Sequence, residues 1–141
     1  MVADFIDHLN QAKHNLESAQ KFLQDRKIHD WAITAAFYSA VHFVEAGFIS
    51  IPTVIHTETA TPSDISDHTF RQNQVRNNYG DVCYLNYRKL RIASENVRYL
   101  WPSKIGLSSE YYSPADVNDF VNNVLSKIRN EIQLVRKIDL S

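Results

Sequence analysis

An all-α, antiparallel up-and-down bundle of four or five helices is the fold this sequence predicts, and three observations carry it. Apolar residues recur at spacings of three and four over long stretches, the period of a helix with one buried face. No stretch sustains the alternation of a half-buried strand. Three Gly and four Pro in 141 residues are too few for the frequent turns of a sandwich or barrel. At this length, with 44% hydrophobic residues, the chain fits one domain with one core, residues 1–141.

The elements follow in order. Phe5, Leu9, Ala12, Leu16, Ala19 and Leu23 form one stripe and predict a helix from about Asp4 to Gln24. The next helix spans about His29 to Phe48. Ala32, Ala35, Ala36 and Ala40 allow neighbouring backbones to approach it, and Gly47 and Pro52 are expected to mark its end. This is the expected central helix. Ser50 to Asp67 holds Pro52, Pro62 and many Thr and Ser residues, and reads as a long loop able to border a site. A third helix starts near Ser66 or Asp67 and runs to Tyr79, where Gly80 breaks it. Asp81 can cap a fourth helix that reaches about Leu100, before Trp101-Pro102. Residues 103–112 read as another loop. Ser113 as cap, Pro114 at the first helical position and Asp116 three residues after the cap start the last helix. Its stripe is Val117, Phe120, Val121, Val124, Leu125, Ile128, Ile132, Val135 and Ile138.

Charge is unevenly placed. Residues 1–67 carry a net −5, residues 68–104 a net +5 and residues 105–141 a net −1. A basic middle third favours an anionic ligand or an acidic partner surface, or it is a solvated face of the bundle. A single Cys, Cys83, excludes an intramolecular disulfide, and no secretion signal is legible, so the cytosol is the expected compartment. Trp31 to Ile49 is interrupted by Thr34, Ser39, His42 and Glu45, which makes it a core helix rather than a membrane span; no membrane partner is expected.

Three groups of residues could carry chemistry. Trp31, Tyr38, His42 and Glu45 share a face of the central helix, so Tyr38 and His42 either point into a cleft, where an imidazole can titrate near neutrality, or belong to a core with a satisfied histidine. His68 and Arg71 lie one turn apart at a helix start, where free N–H groups, the dipole and a forked guanidinium suit a phosphate; the alternative is two solvated side chains. Tyr84, Tyr87, Arg88, Arg91, Glu95 and Arg98 follow helical spacing, with local ion pairs expected from Arg91 to Glu95 and from Glu95 to Arg98. Arginines beside tyrosines can grip a nucleic-acid backbone and stack on bases, or they line a solvated face. Glycine-rich phosphate loops, paired-histidine zinc motifs and cysteine pairs are absent from the sequence, so no metal and no cofactor is expected. Ser39 lies three residues before His42 but mid-helix, without the elbow of a serine hydrolase.

The motifs Asp30-Trp31-Ala32, Phe37-Tyr38-Ser39-Ala40, His42, Glu45-Ala46, His68 to Arg71, and Tyr87, Leu90, Ser94, Arg98 and Tyr99 stand in an order that resembles the HEPN superfamily of small helical proteins. The resemblance covers most of the chain. Its most specific stretches are DWAITAAFYSAVHFVEA and YRKLRIASENVRY. It implies a four- or five-helix bundle, often dimeric, encoded beside minimal nucleotidyltransferases or within toxin–antitoxin and defence systems. Many such proteins are metal-independent ribonucleases that carry an Arg, four to six intervening residues and then a His on one late helix. Here no His follows Arg71, so that catalytic pair does not transfer. What transfers is a polar cluster of Tyr38, His42, His68, Arg71 and Arg98, expected beside the central helix. The expected function is a non-catalytic HEPN-type binding module, a homodimer, for a nucleotide, an RNA or a nucleotidyltransferase-like partner. One alternative is an atypical ribonuclease with His42 or His68 as general base and Arg71 or Arg98 stabilising the phosphorane. Another is a purely structural subunit.

Overall fold

Local signals in the chain set the helix starts. The computed structural model describes residues 3–50, 64–99 and 106–141. Helix α1 (Phe5–Leu23) opens with a reciprocal capping box: Asp4 accepts from the Asp7 backbone N–H, and Asp7 accepts from that of Asp4. A short 3₁₀ turn, Arg26–Ile28, leads into α2 (His29–Ile49). Ser66 caps α3 (Asp67–Tyr79) by accepting from the Thr69 N–H, and Gly80, at φ 88°, lets the chain turn directly into α4 (Asp81–Tyr99). A 3₁₀ turn, Ser108–Glu110, precedes the last helix. That helix, α5, is continuous over residues 114–136: Pro114–Asp119, a π-helical turn at Phe120–Val124, and Leu125–Arg136. Ser113 caps it through the Asp116 N–H, with Pro114 in the first turn. Among the described residues there is no strand, and the protein is an all-helical bundle.

Helix α2 is the hub. It packs along α1, α4 and α5, while α3 rests mainly on α4. Ala32, Ala36, Phe37, Ala40, Phe43, Val44, Ala46 and Phe48 are fully buried along it, so both the small and the large side chains of this helix meet neighbours. Its most apolar stretch is long enough to cross a membrane by composition, yet 72% of that window is covered inside the bundle. Cys83 is buried on the inner face of α4.

Two sequence expectations change. Gly47 does not end α2, which continues through it to Ile49. A Cβ at Gly47 would overlap the Tyr79 hydroxyl and stand 2.8 Å from Cγ2 of Ile132, so this glycine is where α3 and α5 close on α2. The Tyr79 hydroxyl passes over it to donate to the Val44 carbonyl at 2.9 Å. The stripe of α5 also ends early. Ile132 is its last wholly buried position; Val135 is 41% exposed, and Lys137 takes a left-handed conformation at φ 55° that stops the helix before Ile138. Leu140 then folds back into the core, its N–H donating to Gln133 Oε1. The expected loop over 50–67 lies outside the described residues for 51–63, as do Leu100 and the start of the 103–112 segment.

Candidate functional site

The polar side chains between α2, α3 and α4 are arranged around one buried ion pair. Glu45, on α2, is 1% exposed, and Arg71, on α3, is 6% exposed. Arg71 Nε donates to Glu45 Oε1 at 2.7 Å. Burial disfavours the charged guanidinium, but the Tyr87 and Glu45 oxygens beside it outweigh that and hold its pKa above the ordinary range. The Tyr87 hydroxyl, wholly buried, has no hydrogen-bond partner of good geometry among the described residues, and burial pushes its pKa up to about 12.

His68 stands one turn before Arg71, and its Nδ1 accepts from Arg71 Nη1 at 3.1 Å. A guanidinium can only donate, so this contact puts the imidazole proton on Nε2. The ring packs on Phe37 and Tyr38, at centroid distances of 5.5 and 6.1 Å. Burial first, and then the positive charges of Arg71, Arg91 and Arg98, hold its pKa below the ordinary histidine range. Arg91 bridges α4 to α3, donating to the His68 carbonyl and to Gln72 Oε1, and it pairs with Glu95 at 2.9 Å.

Arg98 closes the cluster differently. Its Nε donates to Ser94 Oγ at 3.1 Å, and its Nη1 donates to the hydroxyls of Tyr38 at 3.1 Å and Tyr99 at 3.4 Å. All three partners are neutral. The expected Glu95–Arg98 ion pair is absent from the described residues, because Glu95 turns to Arg91 and Arg98 to Tyr38. No carboxylate among the described residues pairs with Arg98, and its Nη2 makes no hydrogen bond there. Its Cζ lies 5.9, 5.5 and 5.0 Å from the ring centroids of Phe37, Tyr38 and Tyr99. The guanidinium also lines a cleft of about 300 Å³, bounded further by Asp30, Trp31, Thr34, Val97 and Ser108.

Four of the five expected site residues therefore form one connected group: Tyr38, His68, Arg71 and Arg98. His42 pairs with His8 of α1, Nδ1 to Nδ1 at 2.9 Å, one ring donating and the other accepting. At 100° per residue, His42 is turned about 40° from Tyr38 toward Ser39, enough to face α1. Ser39 itself donates to the Ala12 carbonyl at 2.7 Å. The shared face of Trp31, Tyr38, His42 and Glu45 thus divides among several neighbours. Nor does Arg71 stand open to an anion at the helix start. A desolvated guanidinium needs a carboxylate, and Glu45 supplies it.

The Arg91–Glu95 pair expected from the spacing forms, but spacing missed the pairing of Glu45 with Arg71, the reach of Arg91 to α3 and the bond from Arg98 to Ser94. Ser94, four residues before Arg98, had a local signal for that bond. Among the described residues no three His, Cys, Asp or Glu side chains gather as a metal site.

Comparison with family models, with curated proteins and with solved structures finds no match for the chain.

Proposed function

We propose that this protein is a non-catalytic binding module of the HEPN type that takes the phosphate of a nucleotide or an RNA at Arg98. The carrying observation is a half-buried guanidinium whose partners among the described residues are neutral and leave Nη2 unused there, with a cleft in front of it. Around His68 stand three arginines, Arg71, Arg91 and Arg98, against two carboxylates, Glu45 and Glu95. That leaves one net cation for an anion to neutralise, on a chain segment that is itself basic. The aromatic faces beside Arg98 suit a base or ribose more than a bare inorganic ion.

Binding is preferred to cleavage because of how His68 is used. A general base needs a free lone pair, and here Nδ1 is taken by Arg71 while Nε2 carries the proton. The HEPN resemblance supplies the rest of the proposal: a homodimer, acting beside a nucleotidyltransferase-like partner in a toxin–antitoxin or defence setting.

Calorimetric titration with nucleoside monophosphates and 5′-phosphorylated oligoribonucleotides tests the proposal. Binding is expected to weaken with added salt, and Arg98→Gln is expected to weaken it about tenfold or more, the worth of one charge-assisted contact. Absence of binding by every one of these ligands overturns the proposal. So does cleavage of RNA in the presence of a chelator that is lost in His68→Ala, which would make the protein a ribonuclease.

A further inference from the structure

We infer that the outer crest of α4 is a self-association face on which a second copy of this chain packs antiparallel, with Leu85 at the twofold crossing and Asp81 of each copy paired with Arg88 of the other. The inference rests on the homodimer in the proposed function and adds the surface and the register that form it.

Helix α4 buries Cys83, Tyr87, Leu90, Ala93, Ser94 and Val97 on its inner face. A helix with one inner face normally turns polar side chains outward. Here Val82, Leu85 and Ile92 are 57%, 59% and 38% exposed. Asp81, Arg88 and Lys89 stand among them, also exposed, so the crest mixes apolar and charged side chains as a polar-rimmed contact does. These charges are weakly used within the chain. Arg88 makes no hydrogen bond or ion pair among the described residues. Asp81 stands 3.7 Å from Arg76, both side chains mostly exposed, and Arg76 has the Tyr84 ring as a second partner. Lys89 is likewise 3.7 Å from Asp119.

Helix geometry selects the register. At 100° per residue, Asp81 and Arg88 are turned about 40° and 60° to one side of Leu85, and Val82 and Lys89 about 60° and 40° to the other. An antiparallel twofold crossing at Leu85 keeps the sides and reverses the heights. Asp81, about 6 Å before the crossing, then meets Arg88 of the second copy, about 4.5 Å past it, and the pair forms twice. Val82 lies under the aliphatic stem of the second copy's Lys89, and Leu85 meets its own counterpart. The two helix dipoles are opposed, which also favours this pairing. A crossing between Arg88 and Lys89 would set these cations against each other twice, and a parallel pair would set Arg88 against Arg88. The crest from Asp81 to Ile92 is about 17 Å long, a small contact, so the pair is expected to form in the micromolar range rather than as an obligate dimer. Arg98 lies thirteen residues beyond Leu85. This crossing therefore holds the two Arg98 clusters about 40 Å apart, each open to its own ligand.

Sedimentation equilibrium of the full chain, from about 5 to about 200 µM, tests the face. Wild type is expected to pass from monomer to dimer across this range. Leu85→Glu, Asp81→Arg and Arg88→Asp are each expected to weaken the dimer about tenfold or more. Melting temperatures at the lowest concentration check that each variant folds. An equal mixture of Asp81→Arg and Arg88→Asp is expected to regain dimers that neither forms alone, because arginine then faces aspartate at both sites; a role within one chain cannot produce that rescue. AMP, titrated at a concentration where wild type is dimeric, is expected to bind Leu85→Glu as it binds wild type. If wild type stays monomeric throughout, this inference and the homodimer fall together, while phosphate binding at Arg98 is judged by its own titration. If wild type dimerises and the three variants dimerise equally well, or the mixture shows no rescue, the face is overturned and the homodimer stands. Loss of AMP binding in a folded Leu85→Glu overturns the register, because it places Arg98 at the contact.

Discussion

Arg71 and Glu45 show how a buried charge constrains everything beside it. Both side chains are nearly inaccessible, so neither can lose its partner without leaving a charge that water cannot reach. Glu45→Gln keeps the shape and removes the charge, and should cost about 3–5 kcal/mol in denaturant unfolding. His68 carries the opposite strain. Burial and three guanidiniums hold its folded pKa below the ordinary value, so the unfolded chain takes up the proton more readily. Stability from this residue is present above its unfolded pKa of about 6.5 and is lost as pH falls through the folded pKa. Melting temperatures near pH 7.5 and pH 5.5 check this: the wild-type decrease should be larger than that of His68→Gln. An anion bound at Arg98 offsets the guanidinium charge and makes protonation of His68 easier, so phosphate should bind more tightly on the acid side.

Helix starts were legible in the chain because caps act over three or four residues. Asp4, Ser66 and Ser113 stand at helix starts that the sequence predicts, and each accepts the backbone N–H three residues on. What was not legible depends on partners distant in the chain. Tyr38 and Arg98 are 60 residues apart, and the turn of His42 toward His8 follows from where α1 lies, which no period within α2 records. Gly47 has the same cause. Read locally, a glycine near a helix end signals a stop; in the structure it is a site of contact with Tyr79 and Ile132. Gly47→Ala should therefore destabilise by about 1–3 kcal/mol through overpacking, a loss that the better helix propensity of alanine, about 1 kcal/mol, does not cancel. Chemical denaturation checks the sign, and the double variant Gly47→Ala/Tyr79→Phe should cost less than the two single changes added together, because they share one overlap. The π-helical turn at Phe120–Val124 left no mark in the apolar spacing, which fits an ordinary α-helix equally well.

At the scale of the molecule, α2 ties the bundle together, since α1, α4 and α5 each bury their inner faces on it. Losing any one of these helices uncovers part of α2, along which Phe37, Phe43 and Phe48 are wholly buried. The bundle is thus expected to open as one cooperative unit rather than helix by helix. Cys83, buried on α4 with its thiol pushed up to about 12 by burial, turns that expectation into a clock. Only the thiolate reacts with an alkylating reagent, and in the closed bundle it is both scarce and shielded. Each modification event therefore requires an opening that exposes Cys83. With fast reclosing, the labelling rate divided by that of an unfolded peptide gives the fraction of time the bundle spends open. The free energy obtained this way should equal the one measured by denaturant; a smaller value would locate a partial opening at α4. A single thiol, read over hours in plain buffer, reports the stability of the whole fold without a denaturant.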